Sequence, residues 1–143
     1  MNVAGILKVK GRDVISVSPS DSISTVASIL EKRRIGAVVV VGESGDLQGI
    51  LSERDIVHAL AEKGGSCLDF QAQELMTRDL ITIGLDDSVN RVMALMTVNK
   101  IRHFPVLNEG ELVGFISIGD VVKSRIDEVE REAEALRDYI ATG

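Results

Sequence analysis

Two stretches of the chain, GILSERDIV at 49–57 and GFISIGDVV at 114–122, each set a serine and an aspartate three residues apart. In both, an apolar run gives way at that point to helical spacing. Ser52 with Asp55, and Ser117 with Asp120, therefore read as helix starts: the hydroxyl accepts from a free amide, and the acid reaches back to the cap's own N–H. Glu or Gln is the usual acid there. The shorter Asp is expected to reach back less well, so capping alone leaves the choice unexplained. The same geometry suits a nucleotide. A helix N-terminus offers several unpaired N–H groups and a positive dipole end to phosphate. One turn on, an ionised Asp accepts only, and its two oxygens can take both hydroxyls of a ribose diol.

An anion also needs cations, against a net charge of −6. They stand in matching places: Lys32, Arg33 and Arg34 in the first half, Lys100, Arg102 and His103 in the second, with Arg54 inside the first turn. Lys32 and Arg33 equally suit a solvated helix end. Arg102 and His103 directly precede a buried-looking FPVL and are better placed to face a ligand. His103 reads as a contact, not a proton shuttle.

No reactive set converges. The chain has no Walker loop, no Gly-x-Gly-x-x-Gly, one cysteine (Cys67) and two histidines (His58 and His103), and Ser52 and Ser117 have no evident base. We expect no catalysis, no metal site and no bound cofactor. The acidic balance disfavours nucleic acid and anionic lipid. No apolar run approaches the ~20 residues of a bilayer span, and MNVAGILKVKGRD lacks a signal-peptide pattern. A lone cysteine points to a reducing cytoplasm, with Cys67 passive.

What positions the two turns is a duplication. VISVSPSDSISTVASILEKRRIGAVVVV and its continuation lie over LITIGLDDSVNRVMALMTVNKIRHFPVL at an offset of 66, then 65 beyond Ser44. The pairs include Ile35/Ile101, Gly49/Gly114, Ser52/Ser117 and Asp55/Asp120. The leader AGILKVKGRD also echoes QELMTRD, with about three extra residues around Gly11. Each copy reads strand–helix–strand–strand–helix. VISV and LITI are strands, Ser22 and Ser88 are N-caps, and AVVVV at 37–41 is a strand covered on both faces. The helices present Ile23, Val26, Ala27 and Leu30, or Val89, Val92, Met93 and Met96. One such copy hides too little surface to be stable alone. The expectation is an α/β fold of two tandem β-α-β-β-α repeats, packed sheet to sheet with pseudo-twofold symmetry. The repeats are set at 3–64 and 72–124, with a connector at 65–71 and a helical extension at 125–143.

The ordered set ELMTRDLITI, IGAVVVV, RHFPVL, GILSERD and GFISIGD, covering residues 3–124, resembles the paired CBS domain module. That resemblance implies a regulatory sensor binding AMP, ADP, ATP, NAD(H) or S-adenosylmethionine in clefts between the repeats, an AMP-like ligand foremost. Carried over, Asp55 and Asp120 would hold ribose and Ser52 and Ser117 phosphate. Ser16, Val17, Gly36, Ala37, Val38, Thr82, Ile83, Phe104, Pro105 and Val106 would enclose adenine, while Arg34, Arg54, Lys100, Arg102 and His103 attend the anion. Ile118–Gly119 replaces Glu53–Arg54 in the second copy, so the two sites should differ in phosphate preference. The alternative is an assembly module whose dimer surface is its function.

Beyond the repeat, Val122, Ile126, Val129, Ala133, Leu136 and Ile140 recur at spacings of four and three, a narrow seam on a long helix. It lies either on its own module or on a partner subunit. The resemblance implies disc-shaped homodimers, and an effector protein would read the signal.

Overall fold

The chain begins with α1 (Val3–Lys10), capped by the Asn2 side chain and closed at Gly11, whose φ of 98° suits glycine. The first copy follows as β1 (Ser16–Val17), α2 (Ile23–Arg33), β2 (Ala37–Val41), β3 (Leu47–Ser52) and α3 (Glu53–Lys63). A 3-10 turn over Gly64–Asp69 buries Cys67 and leads to α4 (Ala72–Leu75). The second copy supplies α5 (Val89–Asn99), β4 (His103–Asn108), β5 (Glu111–Ser117) and α6 (Ile118–Thr142). This computed structural model describes residues 1–142; Gly143, the last residue of the expected extension, lies outside the described residues.

Ser22 and Ser88 cap α2 and α5, accepting from Thr25 and Arg91. The apolar faces bury Ile23, Val26 and Leu30, and Val89, Val92 and Met96; Met93 stays at the surface. The first copy forms a sheet ordered β1-β2-β3, parallel then antiparallel, and the second a β4-β5 hairpin. Ala37 to Val40 are buried on both faces. Glu109 and Gly110, both at positive φ, make the β4-β5 turn.

The expected first strands are shorter than read. VISV contributes Ser16–Val17, and LITI only an isolated parallel bridge, Ile83 with Val106. Pro105 explains the difference. In the first copy the Val39 N–H bonds the Ile15 carbonyl at 3.3 Å. Pro105 stands at the equivalent position and has no N–H to give.

Two compact units result. One holds Asp13–Ile81 with Gly110–Leu112; the other holds Met1–Arg12, Thr82–Glu109 and the chain from Val113 onward. The leader of each copy thus belongs to the unit of the other, and the compact units are cut differently from the sequence repeats. Within the first, Ala72 N–H bonds the Asp21 carbonyl at 2.7 Å and Thr77 exchanges bonds with Ile50. Within the second, Val3 N–H bonds the Asp87 carbonyl at 2.9 Å. Gly49 and Gly114 admit these leaders: an added Cβ would lie 2.7 Å from Met76 Sδ or from Leu7 Cδ1.

Candidate functional site

Antiparallel pairing sets Ala37 opposite Ser52, so β3 ends on Ser52 and α3 starts from it. Ser52 Oγ accepts from the Asp55 N–H at 3.2 Å, and Asp55 Oδ2 accepts from the Ser52 N–H at 2.9 Å and from its hydroxyl at 3.0 Å. The second turn repeats this: Asp120 Oδ2 accepts from the Ser117 N–H at 2.8 Å and hydroxyl at 2.9 Å, and Ser117 Oγ from the Asp120 N–H at 3.3 Å. The shorter acid therefore does close the box, contrary to the expectation from length. An extended cap residue turns its own N–H toward the first turn, within an aspartate's reach.

Fewer donors are free than the expected several. Glu53 N–H bonds the Gly36 carbonyl at 2.9 Å and Ile118 N–H the Arg102 carbonyl at 2.8 Å. The serines take the third amide. Among the described residues, the amides of Arg54 and Gly119 keep no partner, and neither aspartate's Oδ1 is hydrogen-bonded. Each turn thus offers one amide at the positive pole of a helix dipole and one carboxylate oxygen.

Other predicted residues fall into place by unit. Around the first turn lie Gly36 and Ala37, with exposed Arg54; Ser16–Val17 pairs with Val39–Val40. Val38 is turned wholly into the core with Val17, so only main chain is presentable there. Around the second, Ile83 N–H bonds the Pro105 carbonyl at 3.1 Å and Leu107 N–H the Ile83 carbonyl at 2.9 Å, with Thr82 exposed alongside. Phe104 and Val106 are core side chains. Arg34 and Lys100 close α2 and α5 at φ 54°, an equivalent pair in the left-handed region. Both are exposed, as are Lys32, Arg33 and Arg102, and none of these cations makes an ion pair among the described residues. His103 stacks on Phe115, ring centroids 5.6 Å apart.

The sequence reading missed Lys10. Its ammonium donates to Asp120 Oδ2 at 2.6 Å and to the Phe115 carbonyl at 2.6 Å. Burial, the largest single influence on Asp120, raises its pKa; the hydrogen bond and charge of Lys10, with the two bonds from Ser117, outweigh it and hold the carboxyl below its ordinary range. The signal was the extra residues around Gly11. They let α1 run to Lys10, where the equivalent α4 stops at Leu75.

A family model for the CBS domain matches residues 8–62 and 72–127. The chain belongs to the CBS-domain family. A CBS-domain-containing protein from Agrobacterium tumefaciens shares 41% identity and a TM-score of 0.85, over 87% of this chain and 92% of that one. The CBS domain pair of protein MJ0100, in complex with 5′-methylthioadenosine and S-adenosyl-L-methionine, shares 30% identity and a TM-score of 0.77 over 90% and 98%. A CBS domain protein from Pyrobaculum aerophilum complexed with AMP shares 32% and 0.74 over 84% and 89%. The CBS pair, two β-α-β-β-α-like repeats with a long C-terminal helix, is thus the architecture of this chain.

Proposed function

We propose that this chain is a non-catalytic regulatory module whose serine–aspartate turns each take the ribose and phosphate of an adenosine-containing ligand, AMP foremost. One observation carries the reading: the same pair of unused groups, an N2 amide and a carboxylate Oδ1, stands at both duplicated turns. Oδ1 of Asp55 or Asp120 accepts from a ribose hydroxyl. The amide of Arg54 or Gly119 donates to phosphate, with the unpaired Arg34, Arg54, Lys100 and Arg102 supplying positive charge. The adenosine compounds in the MJ0100 and Pyrobaculum complexes support the class of ligand.

The two turns are unequal as receptors. Asp55 has only its capping partners, whereas Asp120 already holds an ammonium. Ligand at Asp120 must share that carboxylate with Lys10 or displace it, so the Ser52 turn fills first. No helix among the described residues is long and apolar enough to cross a membrane; a cytoplasmic homodimer passing its signal to an effector protein completes the proposal. The exposed seam on α6 favours the second reading, an assembly module that senses nothing.

Thermal unfolding in AMP, ADP, ATP, NAD and S-adenosylmethionine separates the two. Ligand at a hundred times its Kd stabilises by about 2.7 kcal/mol, and Asp55→Asn should remove most of the AMP shift. A melting point indifferent to every compound would leave assembly as the function.

A further inference from the structure

α6 carries two faces of different fate. Val121 and Ser124, at 1% and 8% exposure, pack it onto α5 and α1 of its own unit. At 100° per residue, Val122, Ile126, Val129, Ala133, Leu136 and Ile140 centre about 130°, more than a third of a turn, away from that contact. The five large side chains of this seam are 47–69% exposed. From Val129 to Thr142 every residue is exposed, so this stretch of helix gains nothing from its own unit. A lone helix of that length is marginal in water.

We propose that the seam is covered by the same seam of a second copy, as a parallel, in-register, two-stranded coiled coil. The inference rests on the homodimer part of the function proposed above and is independent of any ligand. In heptad positions, Ile126, Ala133 and Ile140 are a, and Val122, Val129 and Leu136 are d, while the buried Val121 and Ser124 fall at c and f on the far side. Isoleucine at a with leucine at d, as at Ile140 and Leu136, is the two-strand combination.

Charge fixes the orientation. In a parallel pair, g of one helix faces e of the next heptad on the other. That sets Arg125 beside Glu130 of the second copy and Glu132 beside Arg137 of the second copy, opposite charges each time, twice over by symmetry. An antiparallel overlap of the whole seam instead sets Glu130 on Glu130, Glu132 on Glu132 and Lys123 on Arg137, like charges throughout. In the single chain Arg125 turns to Glu128 at 3.2 Å, and neither Glu130 nor Glu132 forms an ion pair among the described residues.

The test uses the full chain. Light scattering should give twice the 15.4 kDa chain mass. Oxidised Leu136→Cys should form a disulfide-linked dimer, and the unaltered chain, whose Cys67 is buried, should not. Glu132→Arg should weaken dimerisation about tenfold, and adding Arg137→Glu should restore it; this pair leaves the apolar seam untouched and so reads out even if the cysteine variant folds poorly. A monomer at tens of micromolar overturns both this inference and the homodimer reading. A dimer that fails to cross-link through Leu136→Cys and ignores the charge swap overturns the coiled coil alone. Cross-linking only between Ile126→Cys and Leu136→Cys chains overturns the parallel orientation.

Discussion

Ile50 and Phe115 are equivalent positions of β3 and β5, and each has a carbonyl to satisfy beyond its hairpin. At Ile50 the partner is main chain, the Thr77 N–H at 2.8 Å; at Phe115 it is a side chain, the Lys10 ammonium at 2.6 Å. A peptide N–H brings no net charge and leaves Asp55 alone. An ammonium brings a full charge and reaches Asp120 as well. One duplicated carbonyl, satisfied in two ways, makes one serine–aspartate turn open and the other held.

The comparison breaks most visibly at the glycines that admit the two leaders. A Cβ on Gly49 would sit 2.8 Å from the Thr77 carbonyl oxygen, which is main chain; on Gly114 it meets only the tip of Leu7. Gly49→Ala should cost about 3 kcal/mol and Gly114→Ala about 1 kcal/mol in urea unfolding. Equal losses would mean that the two leaders are seated alike.

Lys10→Met is the next largest effect, about 1 kcal/mol for a partly exposed ion pair. It also has a pH signature. Because the folded pKa of Asp120 lies below its ordinary 3.8, the pair stabilises the protein above that value, and the contribution is lost as pH falls through the folded pKa. The parent chain should therefore lose more stability than Lys10→Met between about pH 5 and pH 2. Parallel acid-unfolding curves for the two proteins would contradict the pairing. The smallest difference lies in the caps. Ser52→Ala should cost about 1 kcal/mol. Ser117→Ala should cost about half as much, since Lys10 still holds Asp120 in place.

Much of this was legible before any coordinates. AVVVV became β2 at residues 37–41, and Ser22, Ser52 and Ser88 became caps, because each signal is local: apolar runs and hydroxyls before helical spacing. The offset of the repeat makes the Glu53–Gly36 and Ile118–Arg102 bonds equivalent, although the bonds themselves appear only in the structure. What was not legible is non-local or depends on a missing atom. Pro105 cost LITI its ladder through one absent N–H. Lys10 meets Asp120 across 110 positions of chain, and only the extra residues of the leader hinted that α1 was long enough. The reach of aspartate as a capping acid was misjudged from side-chain length, without the extended backbone of the cap.

Amide resonances of Arg54 and Gly119, followed while AMP is titrated into the labelled full chain, probe the unused groups at both turns. The account predicts that Arg54 moves first, that Gly119 moves only at higher AMP, and that Lys10→Met brings the two together. Arg54 and Gly119 both unmoved at millimolar AMP, with the fold intact, would contradict it.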